Sequence, residues 1–320
     1  MNRLQTDVEI WSLQEGDVAA ADHIFKMAFG THLHYPEPEK FLAQTSCRGR
    51  FLAEPEGAFG AFRAGELVGM VYAFTWGSVA IFGPLAVKPE LWGQGIAQLL
   101  LDRVMQYFAT KRITHAGLAT FPESTKHISL YRKFGYRPRF LIAMMARPID
   151  QTETIDASYG WATFSRLSTN DQATVLKETC AITDAIYPGL ELRKEIEAVN
   201  KLAIGDTIIA RGAHQSTGFA ICHYGEGSEA DSSVCYIKFA AVAPGPAAQS
   251  HFQELIAACT AYARSRNARK LFGGVNTARQ EAYESLLSQG FKMEGVSIAM
   301  HRPNEPAYSR PGVFVIDDWR

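Results

Sequence analysis

The chain has 320 residues, of which 47 % are hydrophobic and 20 % charged, a globular composition that excludes wholesale disorder. At roughly 150 residues per domain, this length predicts two domains. The 32 basic and 33 acidic residues leave a formal charge of -1, which argues against a general binder of nucleic acid or of membrane surfaces.

The first half predicts alternating strands and helices, since apolar residues recur at strand or helix spacing. In chain order these are strand Val8–Leu13, helix Asp17–Phe29, strands Gly57–Phe62, Glu66–Trp76 and Ser78–Val87, helix Ile96–Thr110, strand His115–Thr120, helix Ser124–Phe134 and strand Phe140–Ala146. Ser124 is a favourable N-cap residue, and Gly135 suits the position after a helix end.

The second half predicts the same order of elements. In chain order these are strand Trp161–Leu167, helix Asp171–Ile186, strands Thr207–Ala210, Gly218–Tyr224 and Ser232–Val242, a helix with Phe252, Leu255, Ile256, Cys259 and Ala263 on one face, strand Lys270–Val275, helix Ala278–Gln289 and a strand through Ile298–Met300. Short matches such as Gly135-Tyr136 and Gly290-Phe291 lie 155 residues apart. We interpret residues 1–148 and 159–320 as duplicated domains, and the polar segment 149–158 as their linker.

The loop before the helix Ile96–Thr110 is the most informative segment. Gly93 and Gly95 allow a tight turn and close approach of a ligand. The following helix N-terminus presents unpaired N–H groups and a partial positive charge, so the segment predicts a phosphate or pyrophosphate site. A Walker A loop is excluded because Gly-Lys-Ser/Thr is absent, and a Rossmann loop because only Gly-x-Gly is present and follows the fourth strand. A glycine-rich turn without a ligand is the alternative.

The segment VKPELWGQGIAQLLL resembles the acyl-CoA pyrophosphate loop of the GNAT superfamily of N-acyltransferases, Gln/Arg-x-x-Gly-x-Gly/Ala. Gly95 and Ala97 match its last two positions, whereas Trp92 stands where Gln or Arg is usual. The resemblance implies a pyrophosphate site formed by Trp92, Gly93, Gln94, Gly95, Ile96 and Ala97. It also implies that the backbone of Leu85, Ala86 and Val87 pairs with the pantetheine arm of acetyl-CoA or another acyl-CoA.

A second motif, STKHISLYRKFGY at residues 124–136, resembles the Asn-x-x-Ala-x-x-Leu-Tyr-x-x-x-Gly-Phe/Tyr helix of the same family. Tyr131 matches the tyrosine, while Ser124 replaces Asn and His127 replaces Ala. The resemblance implies that Ser124 belongs to the acyl-CoA site and that Tyr131 is the general acid for the CoA thiolate. Alternatively, Tyr131 is only a half-buried aromatic side chain on an amphipathic helix.

The resemblance implies an α/β (α+β) fold of two tandem GNAT-like domains, each a twisted, mixed, mainly antiparallel sheet flanked by helices and splayed at the acyl-CoA slot. The expected reaction is direct transfer of an acetyl group from acetyl-CoA to a primary amine of a small molecule or peptide. A non-catalytic acyl-CoA-binding or sensing protein is an alternative, and an interaction scaffold is another. A shared fold does not choose among them.

The second copy is predicted to be silent. Positions 155 residues apart differ in chemistry: Gly93/Ala248, Gly95/Ser250, Ala97/Phe252 and Tyr131/Leu286. Phenylalanine crowds the approach of a pyrophosphate and leucine has no proton to donate, so only the first copy is expected to bind acyl-CoA. The second copy is expected to shape or cover the amine site, to support a homodimer or to act as structural support.

The general base is left open by the sequence. Neither Ser78–Val87 nor His115–Thr120 contains Asp or Glu, although many members of the resembling family carry a carboxylate there. His32 and His34 follow the first helix, and histidine is the residue type suited to assist deprotonation near neutral pH, but loop histidines are more often solvated or hydrogen-bonded. Arg137 and Arg139 are candidates to meet a substrate carboxylate.

The cysteine pattern and the N-terminus concern the cellular setting. Five cysteines without a Cys-x-x-Cys pair predict reduced thiols and neither a disulfide framework nor a metal site. The N-terminal residues carry charges where a signal peptide has an apolar core, and no apolar run approaches the roughly 18 residues of a membrane span. We expect a cytoplasmic protein that binds neither nucleic acid nor membranes.

Overall fold

The fold is described from a computed structural model, which describes residues 7–152, 160–213 and 215–320. We call residues 7–148 the first half and residues 160–320 the second half. The elements of the first half, in chain order, are β1 (Val8–Ser12), α1 (Val18–His32), α2 (Arg48–Ala53), β2 (Ala58–Arg63), β3 (Glu66–Trp76), β4 (Val79–Val87), α3 (Ile96–Thr110), β5 (His115–Thr120), α4 (Thr125–Lys133) and β6 (Arg137–Pro148).

The second half repeats this order and adds a final short strand. Its elements are β7 (Trp161–Thr163), α5 (Thr169–Ile186), α6 (Arg193–Leu202), β8 (Gly205–Arg211), β9 (Ser216–His223), β10 (Val234–Val242), α7 (Ala248–Ser265), β11 (Lys270–Asn276), α8 (Gln280–Ser288), β12 (Lys292–Arg302) and β13 (Val315–Asp317). Residues 153–159 of the predicted linker lie outside the described residues.

Most predicted elements are present within a few residues, but α2 and α6 were not predicted. Helix α2 has six residues and includes Gly49, so it is too short to show an amphipathic repeat. The predicted strand from Trp161 ends early, at Thr163. There the chain turns, because the backbone N–H of Ser165 donates to the carboxylate of buried Asp206 at 3.1 Å.

The described strands form one continuous sheet in the order β1-β2-β3-β4-β5-β12-β6-β11-β10-β9-β8-β7, with β13 on β10. Within it, β4–β5 and β10–β11 are the parallel pairs and the remaining pairs are antiparallel. The prediction of a mixed, mainly antiparallel sheet flanked by helices is confirmed. Its halves are not separate sheets, since β12 pairs with β5 and β6 pairs with β11. Each half therefore lays a late strand against the fifth strand of the other.

A slot opens inside this sheet where β4 leaves β5. The parallel pairing joins Val79–Ile81 to His115–Gly117. Immediately afterwards Gly83 and Pro84 together stand opposite one residue of β3, Tyr72, and form a β-bulge. A bulge bends its strand, so β4 diverges from β5 beyond this point. The rest of β4 and the end of β5 become the walls of the slot.

Apolar side chains cover both faces of the sheet. One cluster packs under α3 and another under α7. The third cluster runs across both halves and contains Ile24 of α1, Val175 of α5 and Ile196 of α6. The two halves therefore share a core. Among the helices that the structure describes, none has the length and apolar character needed to cross a membrane.

Candidate active site

A cavity of about 990 Å³ extends from the slot between β4 and β5. Its walls come from α1 and the loop after it, β4, the start of α3, β5, α4 and, from the second half, residues 229, 295–297, 319 and 320. Every site residue assigned from the sequence lines this cavity: Leu85, Ala86, Val87, Trp92, Gly93, Gln94, Gly95, Ile96, Ala97, Ser124 and Tyr131. The two sequence motifs thus meet in one place.

The glycines of the loop give the cavity an accessible backbone wall. Gly93 and Gly95 have φ angles of +82° and +85°, which side-chain-bearing residues adopt only with strain. A Cβ on Gly93 would meet no atom within 4 Å, so this backbone faces open space. Gly95 is the N-cap of α3, and no side chain among the described residues caps that helix. The first N–H groups of α3 are therefore placed to bind an anion.

Trp92 ties the loop to the strand before it and brings a cation close. Its indole Nε1 donates to the carbonyl oxygen of Val87 at 2.7 Å. The ammonium of Lys126, on α4, lies 5.2 Å from the centre of an indole ring. Where the resembling family has Gln or Arg, this chain thus has an indole with a lysine beside it. Sequence reasoning missed Lys126, because no pattern relates it to residue 92.

Helix α4 places Tyr131 against the slot. The Tyr131 ring centre lies 5.8 Å from that of Phe82 on β4, and the residue is 8 % exposed. Burial raises the pKa of Tyr131 well above its usual value, and a hydrogen bond with Thr120 acts in the opposite direction. The phenol is therefore protonated at neutral pH, as a general acid must be.

Both ends of α4 are defined by residues that the sequence marked. The Ser124 hydroxyl accepts a long, 3.5 Å hydrogen bond from the backbone N–H of His127 and so caps the helix. Gly135 has a φ of +87°, after which the N–H of Tyr136 returns to the Tyr131 carbonyl at 3.2 Å. The caps hold the tyrosine at a fixed height beside the slot.

Two histidines meet in the cavity. The ring centres of His32 and His127 are 5.0 Å apart. Burial, with His32 beside it, lowers the pKa of His127 to about 4, so its imidazole is neutral at pH 7. His34 is exposed and does not line the cavity, and Arg139 instead donates to the Asn304 carbonyl at 2.9 Å. Of the four residues considered for the base and for the substrate carboxylate, His32 thus lines the cavity.

The second half contributes a carboxylate that sequence reasoning missed. Among the described residues, Glu229 supplies the only carboxylate side chain that lines the cavity, and it pairs with Arg50 of α2. Glu229 lies between β9 and β10, which are joined by residues 224–233, whereas β3 and β4 are joined by Gly77 and Ser78 alone. The greater length of this loop is the sequence feature that could have pointed to Glu229. The described residues contain no cluster of three or more side chains suited to a metal ion.

The corresponding loop of the second half is replaced by helix. Helices α3 and α7 end 155 residues apart, at Thr110 and Ser265, but α7 begins at Ala248 and is three residues longer. At the same spacing its extra turn takes the place of Gly93–Gly95. Phe252 is fully buried there, with its ring centre 5.4 Å from that of Phe314.

The corresponding slot of the second half is filled by the chain itself. The parallel pairing of β10 with β11 ends at Ile237, and β13 then pairs antiparallel with Phe239–Ala241 of β10. Buried Arg279 holds β13, donating to the Val315 carbonyl at 2.9 Å and to the Asp317 carboxylate at 2.7 Å. The strand edge that borders the cavity in β4 is thus already hydrogen-bonded in β10.

Comparisons with known proteins agree with this geometry. Residues 19–136 match the Acetyltransferase (GNAT) family, while no curated protein matches the sequence. A proposed acetyltransferase of Pyrococcus horikoshii is 16 % identical with a TM-score of 0.68, over 98 % of this chain and 95 % of that one. A GCN5-related N-acetyltransferase from Sphaerobacter thermophilus is 13 % identical with a TM-score of 0.57, over 93 % and 96 %. At such identities these structures show a shared fold. Residues 19–136, which match the Acetyltransferase (GNAT) family, thus contain both the glycine loop and Tyr131.

Proposed function

We propose that the protein is an N-acetyltransferase that moves an acetyl group from acetyl-CoA to a primary amine of a small molecule or peptide. Members of the GNAT family use acyl-CoA. The observation that carries the proposal is one cavity that joins the uncapped start of α3, the diverging end of β4 and the protonated Tyr131 phenol. An anion site, a strand edge and an acid are the parts that this transfer needs.

The binding of acetyl-CoA follows from the walls of the cavity. Its pyrophosphate is assigned to the first N–H groups of α3, where Gly93 leaves room for close approach. Lys126 adds a positive charge beside this loop. The pantetheine arm is assigned to the backbone of Leu85–Val87, which β5 does not pair.

The proposed chemistry is a direct attack. The amine nitrogen bonds to the thioester carbonyl carbon, the C–S bond breaks, and the departing sulfur takes a proton from the Tyr131 phenol. A backbone N–H at the end of β4 polarises the carbonyl oxygen. Cys47 also lines the cavity, but burial and nearby Asp22 raise the pKa of its thiol well above the usual value. A protonated thiol is a poor nucleophile, which favours transfer without an acyl-enzyme.

The amine proton is assigned to the His32 imidazole. Glu229 is a poor acceptor: burial raises its pKa, but Arg50 and Lys238 outweigh burial and hold the pKa well below the usual range. His32 lines the same cavity and is half-buried, and its neighbour His127 is neutral at pH 7 and adds no opposing charge. Within the part of the chain that the structure describes, no other carboxylate side chain lines the cavity, and this observation favours a non-catalytic acyl-CoA sensor as the second candidate.

We further propose that residues 159–320 are a degenerate copy of residues 1–148, joined by 149–158, and bind no acyl-CoA. Strands β4 and β10, helices α4 and α8, and strands β6 and β12 begin 155 residues apart, which supports a duplication. Phe252 and β13 occupy the places that correspond to the glycine loop and to the slot of the first half.

A calorimetric titration of acetyl-CoA into the full chain, followed by a screen of amines for CoA release, tests this function. We expect one site per chain and amine-dependent release of CoA. Binding without release for every amine would favour the sensor, and two sites would contradict the silent second copy. Absence of binding would exclude both the enzyme and the sensor.

A further inference from the structure

Glu229 reaches the cavity of the first half on a loop that the second half alone carries. Residues 224–233 join β9 to β10, and the corresponding turn, Gly77–Ser78, has two residues. The long loop docks on the first half through its backbone, since the N–H of Gly227 donates to the Gln44 carbonyl at 3.2 Å. A loop that has no equivalent in the first half therefore forms part of the wall of the first half's cavity.

Arg50 links this loop to the bulge of β4. One guanidinium nitrogen, Nη2, donates to Glu229, and the other, Nη1, donates to the carbonyl oxygen of Gly83 at 2.6 Å. The Arg50 and Glu229 side chains are 6 % and 7 % exposed. The donors of a guanidinium form a rigid fork, so Arg50 holds both partners in one geometry. Gly83 lies where the pairing of β4 with β5 has ended, so Arg50 gives its carbonyl a donor that β5 does not supply.

The charge on Glu229 is fixed by its surroundings. Its second oxygen accepts from the Lys238 ammonium at 2.5 Å, and Lys238 also pairs with Glu195 of α6 at 3.1 Å. Two cations and two carboxylates therefore balance inside the protein. Without the Glu229 charge, Arg50 would be a buried cation deprived of its anion, and an uncompensated buried charge is strongly destabilising.

We propose that Glu229 is a positioning residue for acyl transfer: through Arg50 it holds the Gly83 carbonyl, and with it the bulge that keeps the slot open. The inference rests on the proposed function, because Leu85, two residues on, is the strand end assigned to the thioester arm. It gives the silent half a defined role, which is to supply the carboxylate that orients the reacting strand of the other half.

The Glu229→Gln variant of the full chain tests this role, since it removes the charge and keeps the shape. We expect kcat for acetyl transfer to fall about 10- to 100-fold, the effect of a small misplacement at a reacting centre. The Kd for acetyl-CoA is expected to change less than about threefold, because the N–H groups of α3 are untouched. A purely structural role would not separate kcat from Kd in this way.

Glu195→Gln is the matched control. It removes the other carboxylate of the same buried cluster, which bonds to Lys238 and to the Trp76 indole but does not line the cavity. We expect it to lower the melting temperature about as much as Glu229→Gln and to leave kcat near the wild-type value. An equal loss of kcat in both variants, or an unchanged kcat in folded Glu229→Gln, would overturn the proposal.

A second readout does not depend on turnover. Hydrogen exchange of residues 82–87, without substrate, is expected to be faster in Glu229→Gln than in Glu195→Gln. If the wild type turns over no amine, the proposed function fails while this comparison still tests the positioning. If Glu229→Gln does not fold, Arg50→Lys replaces it, because lysine keeps the charge beside Glu229 and loses the fork toward Gly83. Unchanged exchange in both variants would overturn the inference.

Discussion

Strands β4 and β10 hold equivalent places in the two halves, and each runs parallel to the next strand before it diverges. Beyond that point β4 borders a cavity, whereas β10 is paired with β13. A diverging strand leaves backbone groups that must be satisfied, and one half satisfies them with its own tail. A diverging sheet edge therefore becomes closed structure where the chain itself supplies a strand to pair with it, as β13 does for β10.

The helices that follow β4 and β10 also differ, in whether the helix N-terminus is accessible. The Gly93–Gly95 loop leaves the start of α3 accessible, while α7 extends one turn further and buries Phe252. Three residues of helix move an N-terminus by about 4.5 Å, enough to displace an anion site.

Tyr131→Phe removes the phenol hydroxyl of the first half, where the corresponding residue of the second half is Leu286. We expect kcat to fall about 10²- to 10⁴-fold, the usual contribution of general acid–base catalysis, with little change in the Kd for acetyl-CoA. Steady-state kinetics and calorimetry measure the two quantities. Tyr136→Phe is the control, since Tyr136 is buried, packs on Phe82 at 5.6 Å between ring centres and does not line the cavity. Equal losses in the two variants would refute the assignment of Tyr131.

Ala97→Phe gives the first half the side chain that the second half has at the corresponding position, Phe252. The ring enters the first turn of α3, and we expect about a 100-fold loss of acetyl-CoA affinity by calorimetry, because the pyrophosphate then cannot reach the helix N–H groups. The reverse change, Phe252→Ala, is expected to lower the free energy of unfolding by about 3–5 kcal/mol without creating a second site. Wild-type affinity in Ala97→Phe would contradict the assigned loop.

Acid is expected to weaken the seam where β5 of the first half meets β12 of the second. His115 Nε2 and His301 Nδ1 lie 3.1 Å apart there, and burial lowers their pKa values to about 4 and about 3. Both stay neutral in the fold, whereas an unfolded histidine has a pKa near 6.5. The stability is therefore full above pH 6.5 and is lost as the pH falls toward 4, by about 1.4 kcal/mol per pH unit for each proton excluded.

Urea unfolding at pH 7 and at pH 5 measures this loss. His301→Gln, which keeps a polar side chain without a titrating ring, is expected to reduce the pH dependence between these values by about one proton. A pH dependence identical to that of the wild type would mean that other groups, such as buried His223, account for the acid sensitivity.

Lys126→Gln carries the smallest expected effect. Removing the ammonium beside Trp92 is expected to weaken acetyl-CoA binding about three- to tenfold at low salt, and less at 0.5 M salt, where screening already reduces the attraction. Titrations at two salt concentrations measure it. Arg132→Gln, a change on the exposed side of the same helix, is expected to leave the affinity unaltered. Equal effects of both variants would indicate a general loss of positive charge.

The sequence alone determined the features that depend on neighbouring residues. Apolar spacing predicted most helices and strands, Ser124 and Gly135 marked the ends of α4, and Gly93 and Gly95 marked the loop. These signals are local, because capping, turns and helix periodicity involve residues within about four positions of one another. The resemblance of two such segments was enough to predict the family and the mixed sheet.

The contacts between residues that are far apart in the sequence became visible only in the three-dimensional structure. It placed β12 beside β5 and β13 in the slot of the second half, and brought Glu229 to Arg50 from 179 residues away. An isolated strand pattern does not name its partner, since any strand presents the same backbone donors and acceptors. A glutamate in a glycine-containing loop likewise has the pattern of a solvated residue until packing buries it beside cations. Long-range pairing and burial, which no short segment encodes, gave the two halves their different roles.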